Sequence, residues 1–241
     1  MALPKIDVPT YDLTFPHSGE TIKVRPFSVK EEKLLLLALE SKDTMEITNT
    51  VKQVVNNCII SGKYDVNKAP FFEIDFIFIF LRAKSIGEKV AVKLTCNNVL
   101  EDGTTCGNVF PAELDIGKCE VTNEVQVSGD IKLGGDKGVK LKYPSYASAK
   151  KVDAGLDIER KVNLIVNSID YIYDKDGVYA AKDHSKEELH EFVESLTEEN
   201  FRKLEEFIDN TPTFAVRVDA TCPKCKYEHS VRYTDFMDFF L

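Results

Sequence analysis

A chain of 241 residues, 43% hydrophobic and 29% charged, suits one globular unit, or one unit with a small lobe, and can bury a core without disulfides. A net charge of -9 argues against affinity built on neutralising phosphates, so nucleic acid is not an expected partner. No apolar run approaches the ~20 residues of a membrane-spanning helix, and Met1 to Asp7 lacks the basic and apolar blocks of a signal peptide, which predicts a protein kept in a reducing cytosol.

Tyr11 to Phe15 and Thr21 to Arg25 alternate apolar with polar residues around Pro16-His17-Ser18-Gly19-Glu20, the pattern of a β-hairpin. Ser28-Val29-Lys30-Glu31 fits a capping box and predicts a helix with Leu34 to Leu39 as its apolar body. A second helix fits Met45 to Ile60. Its apolar side carries Ile47, Val51, Val54, Val55, Cys58 and Ile59, and Cys58 reads there as a small buried residue. From Ala69 to Gly87 the chain is apolar on most of a helical circumference, with Pro70 near its start and Gly87 where a C-terminal cap belongs. Such a helix is a core element, or else an interaction surface.

Two strand-like stretches then end on cysteine. Glu88 to Leu94 delivers Cys96, and after the polar loop Asn97 to Thr105 the chain leaves Cys106 through Gly107 to Leu114. Much later, Thr213 to Ala220 runs into Thr221-Cys222-Pro223-Lys224-Cys225-Lys226, and Tyr227 to Tyr233 leads away. The two halves mirror one another. Cys96, Cys106, Cys222 and Cys225 are therefore the expected ligands of one structural Zn2+ per chain, held by a pseudo-symmetric pair of hairpins as in a zinc ribbon. Four thiolates close the coordination sphere and leave no position for chemistry. Gly107 suits the sharp turn at a knuckle. Against this reading stand four simple thiols or a redox pair at Cys222 and Cys225, and the nine-residue gap between Cys96 and Cys106 exceeds the usual spacing. A thioredoxin-like pair sits at a strand-to-helix junction, whereas strands flank these cysteines on both sides. Cys119 reads as a spectator. His229 is a candidate substitute ligand, although a solvent-side His on a strand is the simpler reading.

Between the cysteine pairs, Val121 to Leu133 and Val139 to Tyr143 read as strands around a glycine-rich turn. Helices are expected over Ala154 to Ile172, from the Ser185 capping box, and from Thr197 until Pro212. The predicted fold is α+β, a helical core with an N-terminal β-hairpin and a discontinuous zinc-ribbon-like β lobe. Its divisions are an N-terminal β-hairpin at 1-27, the first stretch of the helical core at 28-87, a β lobe with the first zinc-ribbon half at 88-143, the second stretch of the helical core at 144-212, and the second zinc-ribbon half with an aromatic tail at 213-241.

Catalytic signatures do not emerge. His17, His184, His190 and His229 follow no metalloprotease spacing, and no nucleophile elbow, Walker loop or dinucleotide fingerprint is present. The function expected is non-enzymatic. The tail Thr234-Asp235-Phe236-Met237-Asp238-Phe239-Phe240-Leu241 is apolar where termini are normally polar. Phe236, Phe239, Phe240 and Leu241 either fold back on the ribbon or anchor a partner.

The Leu3 to Tyr11 segment, Arg25-Pro26-Phe27 leading into Glu31-Glu32-Lys33, the Cys-Pro-x-Cys of Cys222 to Cys225, and the Asp-Phe-x-x-Phe-Phe ending at Phe240 together resemble the T4-type baseplate hub proteins of contractile-tailed bacteriophages. The resemblance spans the whole chain. It implies a hub subunit, or a chaperone for hub and tape-measure components, present in the host cytoplasm during assembly or retained in the virion baseplate. It supplies no catalytic residues. The other readings of the residues are a zinc-ribbon nucleic-acid-binding regulator, with Arg217, Lys224, Lys226 and Arg232 as its local cations, and a thiol oxidoreductase.

Overall fold

Period-two alternation builds the first strands, with Leu13, Ile22 and Val24 turned inward while Asp12, Thr14, Thr21 and Lys23 stay exposed. In the computed structural model, which describes residues 7–16, 18–61, 64–122, 129–145 and 157–234, β1 (Tyr11–Thr14) and β2 (Thr21–Val24) pair antiparallel, and β3 (Ile59–Ser61) joins β2. The described residues form six α-helices and twelve strands in four small antiparallel sheets, a mixed α/β architecture. They divide between two compact units: Met1–Tyr64, Phe72–Thr122 and Thr213–Leu241 make the first, Asp65–Phe71 and Asn123–Pro212 the second.

In the first unit, Arg25 staples the hairpin to two helices. Its guanidinium donates to both carboxylate oxygens of Glu31, at 3.0 and 2.8 Å, and to the carbonyl of Asn57 at 3.0 Å. Glu31 also accepts from the amide and hydroxyl of Ser28, at 2.7 and 2.9 Å, and so fixes the start of α1 (Val29–Ser41). The Arg25 bonds come first among the causes that hold the Glu31 carboxyl down to about 2, against the opposing effect of burial. Lys42 ends α1 in the left-handed region at φ 57°, and Asp43 caps α2 (Thr44–Cys58) by accepting from the amides of Met45 and Glu46. The second helix therefore ends before the expected Ile60, because Ile59 already pairs with Val24. Cys58 is fully buried on its inner face, and burial pushes its thiol up to about 12.

The apolar segment after Pro70 is helical, as α3 (Phe71–Ser85), and it is a core element. Phe72, Ile74, Ile77, Phe78, Ile79 and Leu81 are all buried, leaving little of its circumference for water. Phe76 extends the packing across the chain. It stacks on Phe214 with ring centroids 4.8 Å apart and lies 6.2 Å from Phe15, which in turn stacks on Tyr64 at 5.4 Å. The N-terminal hairpin, α3 and the returning C-terminal strand thus share one aromatic cluster. Beyond α3, β4 (Lys89–Thr95) and β5 (Val109–Asp115) form a hairpin, and β6 (Glu120–Thr122) pairs with the late strand β11 (Thr213–Thr221), itself paired with β12 (Glu228–Tyr233).

The second unit is an antiparallel sheet in the order β10-β9-β8-β7, packed against helices. Its strands are β7 (Asp130–Gly134), β8 (Lys137–Leu141), β9 (Ile169–Tyr173) and β10 (Val178–Ala180); its helices are α4 (Asp157–Ser168), α5 (Lys186–Glu194) and α6 (Glu198–Asp209). Val139, Leu141, Ile165, Ile169, Leu204 and Phe207 centre the core. Both later caps form as the sequence predicts, with Ser185 Oγ accepting from the Glu188 amide and Thr197 Oγ1 from Asn200. The helix expected to run to Ile172 stops at Ser168. Ile169-Asp170-Tyr171-Ile172-Tyr173 instead forms β9, because β-branched and aromatic residues in alternation pair better with β8 than they extend a helix.

Candidate metal centre

Two hairpins of the first unit build the site. β4 and β5 remain in register up to the Thr95–Val109 pair, and β11 and β12 up to Thr221–Glu228. One residue further on, each pair of strands opens into a knuckle with the same hydrogen-bond frame. The Cys96 amide donates to the Asn108 carbonyl as the Cys222 amide does to Tyr227, both at 2.8 Å. The Gly107 amide returns to the Cys96 carbonyl at 3.0 Å as the Lys226 amide does to Cys222 at 2.9 Å. Gly107 and Lys226 occupy the same left-handed position, at φ 59° and 63°. The long first gap is closed by an internal turn. Cys106 donates its amide to Asn98 at 2.9 Å, Val99 bridges Thr105, and Leu100 pairs with Thr104, so residues 97–105 form a small hairpin whose base brings the two cysteines together.

Cys96, Cys106, Cys222 and Cys225 meet where these knuckles face each other, with all four sulfurs within 4.8 Å of one another. Cys96 Sγ lies 3.5 Å from Cys225 Sγ, and Cys106 Sγ lies 4.0 Å from Cys222 Sγ. A tetrahedral ion with sulfur ligands at about 2.3 Å sets sulfur–sulfur edges of about 3.8 Å, so the donor set and its spacing fit zinc or a single iron. Cys96, Cys106 and Cys222 are buried and Cys225 is half-buried.

The surroundings of the second pair, Cys222 and Cys225, favour thiolates. Burial opposes ionisation of Cys222, but the amides of Cys225 and Lys224 and the side chain of Asn108 outweigh it and bring the thiol down to about 6. The Tyr227 amide leads the effects that lower Cys225, working against burial and joined by Cys96 and Asn98. Cys96 goes the other way, pushed up to about 12 by burial first. Lys224 adds a bond across the two hairpins, from its Nζ to the Cys106 carbonyl at 3.4 Å.

Two contributors escaped the sequence reading. Asn98 Nδ2 donates to Cys225 Sγ at 3.6 Å, and Asn108 Nδ2 to Cys222 Sγ at 3.5 Å, each reaching across to the opposite hairpin. Both stand two residues after a cysteine, which is the signal that could have found them. His229 corrects another expectation. It is buried, not solvent-side, with its ring 5.7 Å from Phe110 and 4.9 Å from Tyr227, and it stands outside the sulfur cluster. Cys119 is also apart from the cluster, its thiol raised to about 11 by burial. The tail residues Phe236, Phe239, Phe240 and Leu241 lie outside the described residues, as does His17.

The family described as T4 bacteriophage base plate protein matches residues 8–241, nearly the whole chain. The chain belongs to that family. The resemblance drawn from the N-terminal segment, the Cys-Pro-x-Cys knuckle and the aromatic ending is borne out at this level, and the molecule is a T4-type phage base plate protein. No curated protein and no solved structure matches it. For this base plate protein, no helix among the described residues is long and apolar enough to cross a membrane. A cavity of about 520 Å³ in the second unit, lined by Leu133, Ile172, Leu189, Phe192 and Leu196 among others, contains none of the site residues expected from the sequence.

Proposed function

We infer that this base plate protein acts without catalysis, as a hub subunit or as an assembly chaperone that binds hub or tape-measure components, and that one structural Zn2+ on Cys96, Cys106, Cys222 and Cys225 stabilises it. The observation that carries this reading is the closed set of four sulfurs at tetrahedral spacing. Four protein ligands leave an ion no open position for substrate or activated water, so its contribution is to the fold. The paired hairpins then constitute a zinc-ribbon-like lobe split between the middle of the chain and its end. Phe236, Phe239, Phe240 and Leu241, which follow the second hairpin, are the proposed partner anchors, since apolar aromatic groups supply most of the affinity at such contacts. Assembly would place the protein in the host cytoplasm, then in the baseplate of the virion if it is retained.

Native mass spectrometry of the full chain tests the metal. One zinc per chain, lost together with β11–β12 amide protection on chelation, is the expected result; a metal-free protein with a freely alkylated Cys222 overturns it. Pull-down of hub and tape-measure proteins, with and without residues 236–241, tests the anchors. Reduced capture with an unchanged circular dichroism spectrum supports docking, and undiminished capture refutes it. The nucleic-acid reading loses ground because Arg217 is paired with Asp219 at 3.0 Å and Lys224 is turned onto the Cys106 carbonyl.

A further inference from the structure

The outward face of α1 carries an exposed pattern that neither the metal centre nor the tail uses. α1 buries Glu31, Leu35 and Ala38 and turns Val29, Lys33, Leu36, Leu37 and Glu40 to water. From Val29 those positions fall at offsets of four, seven, eight and eleven, one side of a helix. Val29 is 81% exposed, Leu36 52% and Leu37 51%. One exposed leucine needs no explanation, but two adjacent leucines and a valine along one stripe make a patch. Lys30 and Lys33 stand on the N-terminal side of the leucines, Glu40 and Asp43 on the C-terminal side. Lys30, Lys33 and Glu40 have no ion-pair partner among the described residues, while Asp43 uses one oxygen to cap α2.

We propose that α1 is a self-complementary docking surface and that its occupant is a second copy of this chain, bound antiparallel about a two-fold axis between Leu36 and Leu37. Reversing the helix about that point sets Leu36 against Leu37 of the second copy and Lys33 against its Glu40, all four positions lying within α1. Every pair then occurs twice, as an isologous contact requires. The other charged positions of the helix are harmless: Glu32 meets Ser41, Lys30 falls beyond the end of the second copy's helix, and the Glu31 carboxylate is buried on Arg25. The antiparallel arrangement also sets the helix dipoles head to tail. A parallel arrangement would oppose Lys33 to Lys33 and Glu40 to Glu40, so the charges select the orientation as well as the partner. One helix pair buries less than the roughly 1,200–2,000 Å² of a standard stable interface, so the dimer is weak and concentration-dependent.

Sedimentation velocity of the full chain over a wide concentration range, at low and high salt, tests this. The wild type should pass from monomer to dimer as concentration rises, and less readily in high salt. Leu37→Asp should remain monomeric. Lys33→Glu and Glu40→Lys should each weaken dimerisation by about tenfold, since each converts two attractions into two repulsions. The double variant Lys33→Glu/Glu40→Lys should restore it, because the exchanged charges again oppose each other across the axis. Lys33 and Glu40 are exposed, so the charge variants keep the test valid should Leu37→Asp misfold, with circular dichroism as the check. A wild type that stays monomeric throughout overturns the proposal and leaves the face to a different protein. A dimer indifferent to the single reversals, or a double variant no better than either single, also overturns it.

Discussion

Replacing Glu31 with Gln removes the charge at the junction of the N-terminal hairpin, α1 and α2 while preserving side-chain volume. Glu31 is 5% exposed and accepts both guanidinium nitrogens of Arg25, which holds its carboxyl at about 2 in place of the ordinary 4.5. At about 1.4 kcal/mol per pH unit that interval corresponds to roughly 3 kcal/mol of folding free energy. Water has some access to the Arg25 side of the pair, whose side chain is 27% exposed, so roughly 2–3 kcal/mol is the expected loss at pH 7. The sign follows from the direction of the shift. A carboxyl depressed in the folded state stabilises fully above its unfolded value and ceases to do so as pH falls through its folded value, so the contribution disappears between about 4.5 and about 2. Urea unfolding followed by far-ultraviolet circular dichroism, run on both proteins at steps from pH 7 to pH 3, measures the gap. Any effect of acid on the cysteine cluster is common to both proteins and cancels in the difference. Less than half the gap should remain at pH 3. A gap under about 0.5 kcal/mol at neutral pH, or one that persists undiminished at pH 3, would refute the assignment of this energy to the Arg25–Glu31 pair.

The paired knuckles give substitutions of opposite sign. Lys226→Gly should raise stability by about 0.5–1 kcal/mol, because it relieves a left-handed lysine, and Gly107→Ala should lower it by about 1 kcal/mol; thermal unfolding of the metal-loaded protein compares them. Asn108→Ala and Asn98→Ala each remove a donor to a sulfur of the opposite hairpin, and each should weaken metal retention about tenfold or more in competition with a chelator. Phe214→Ala empties a buried position that contacts Phe72 and Phe76 and should cost about 3–5 kcal/mol in urea unfolding.

What the sequence disclosed depended on how local the signal was. The cysteine cluster was legible because strand patterns run directly into Cys96 and Cys222, and a strand's end limits where its next side chain can go. The caps at Ser28, Ser185 and Thr197 were legible for the same reason, as three or four residues decide each one. Asn98 and Asn108 were not, since their role exists only once hairpins far apart in sequence face each other. β9 was misread because Ile165 and Ile169 share a helical spacing, and only the presence of β8 favours the strand. Phe214 gave no hint of its stacking on Phe76, a contact that follows from tertiary packing alone.

The cluster's ligands are also far apart in time. Cys106 and Cys222 are separated by 116 positions, so at roughly 5–20 residues per second the ribosome needs about 6–23 s to make the second after the first. Throughout that interval Cys96 and Cys106 have neither of their sulfur partners, while all of residues 123–212 are synthesised. Closure of the four-sulfur centre therefore waits until Cys225 is made, and a nascent chain interrupted before Cys222 retains an open half-site with two thiols available to metal, oxidant or another chain.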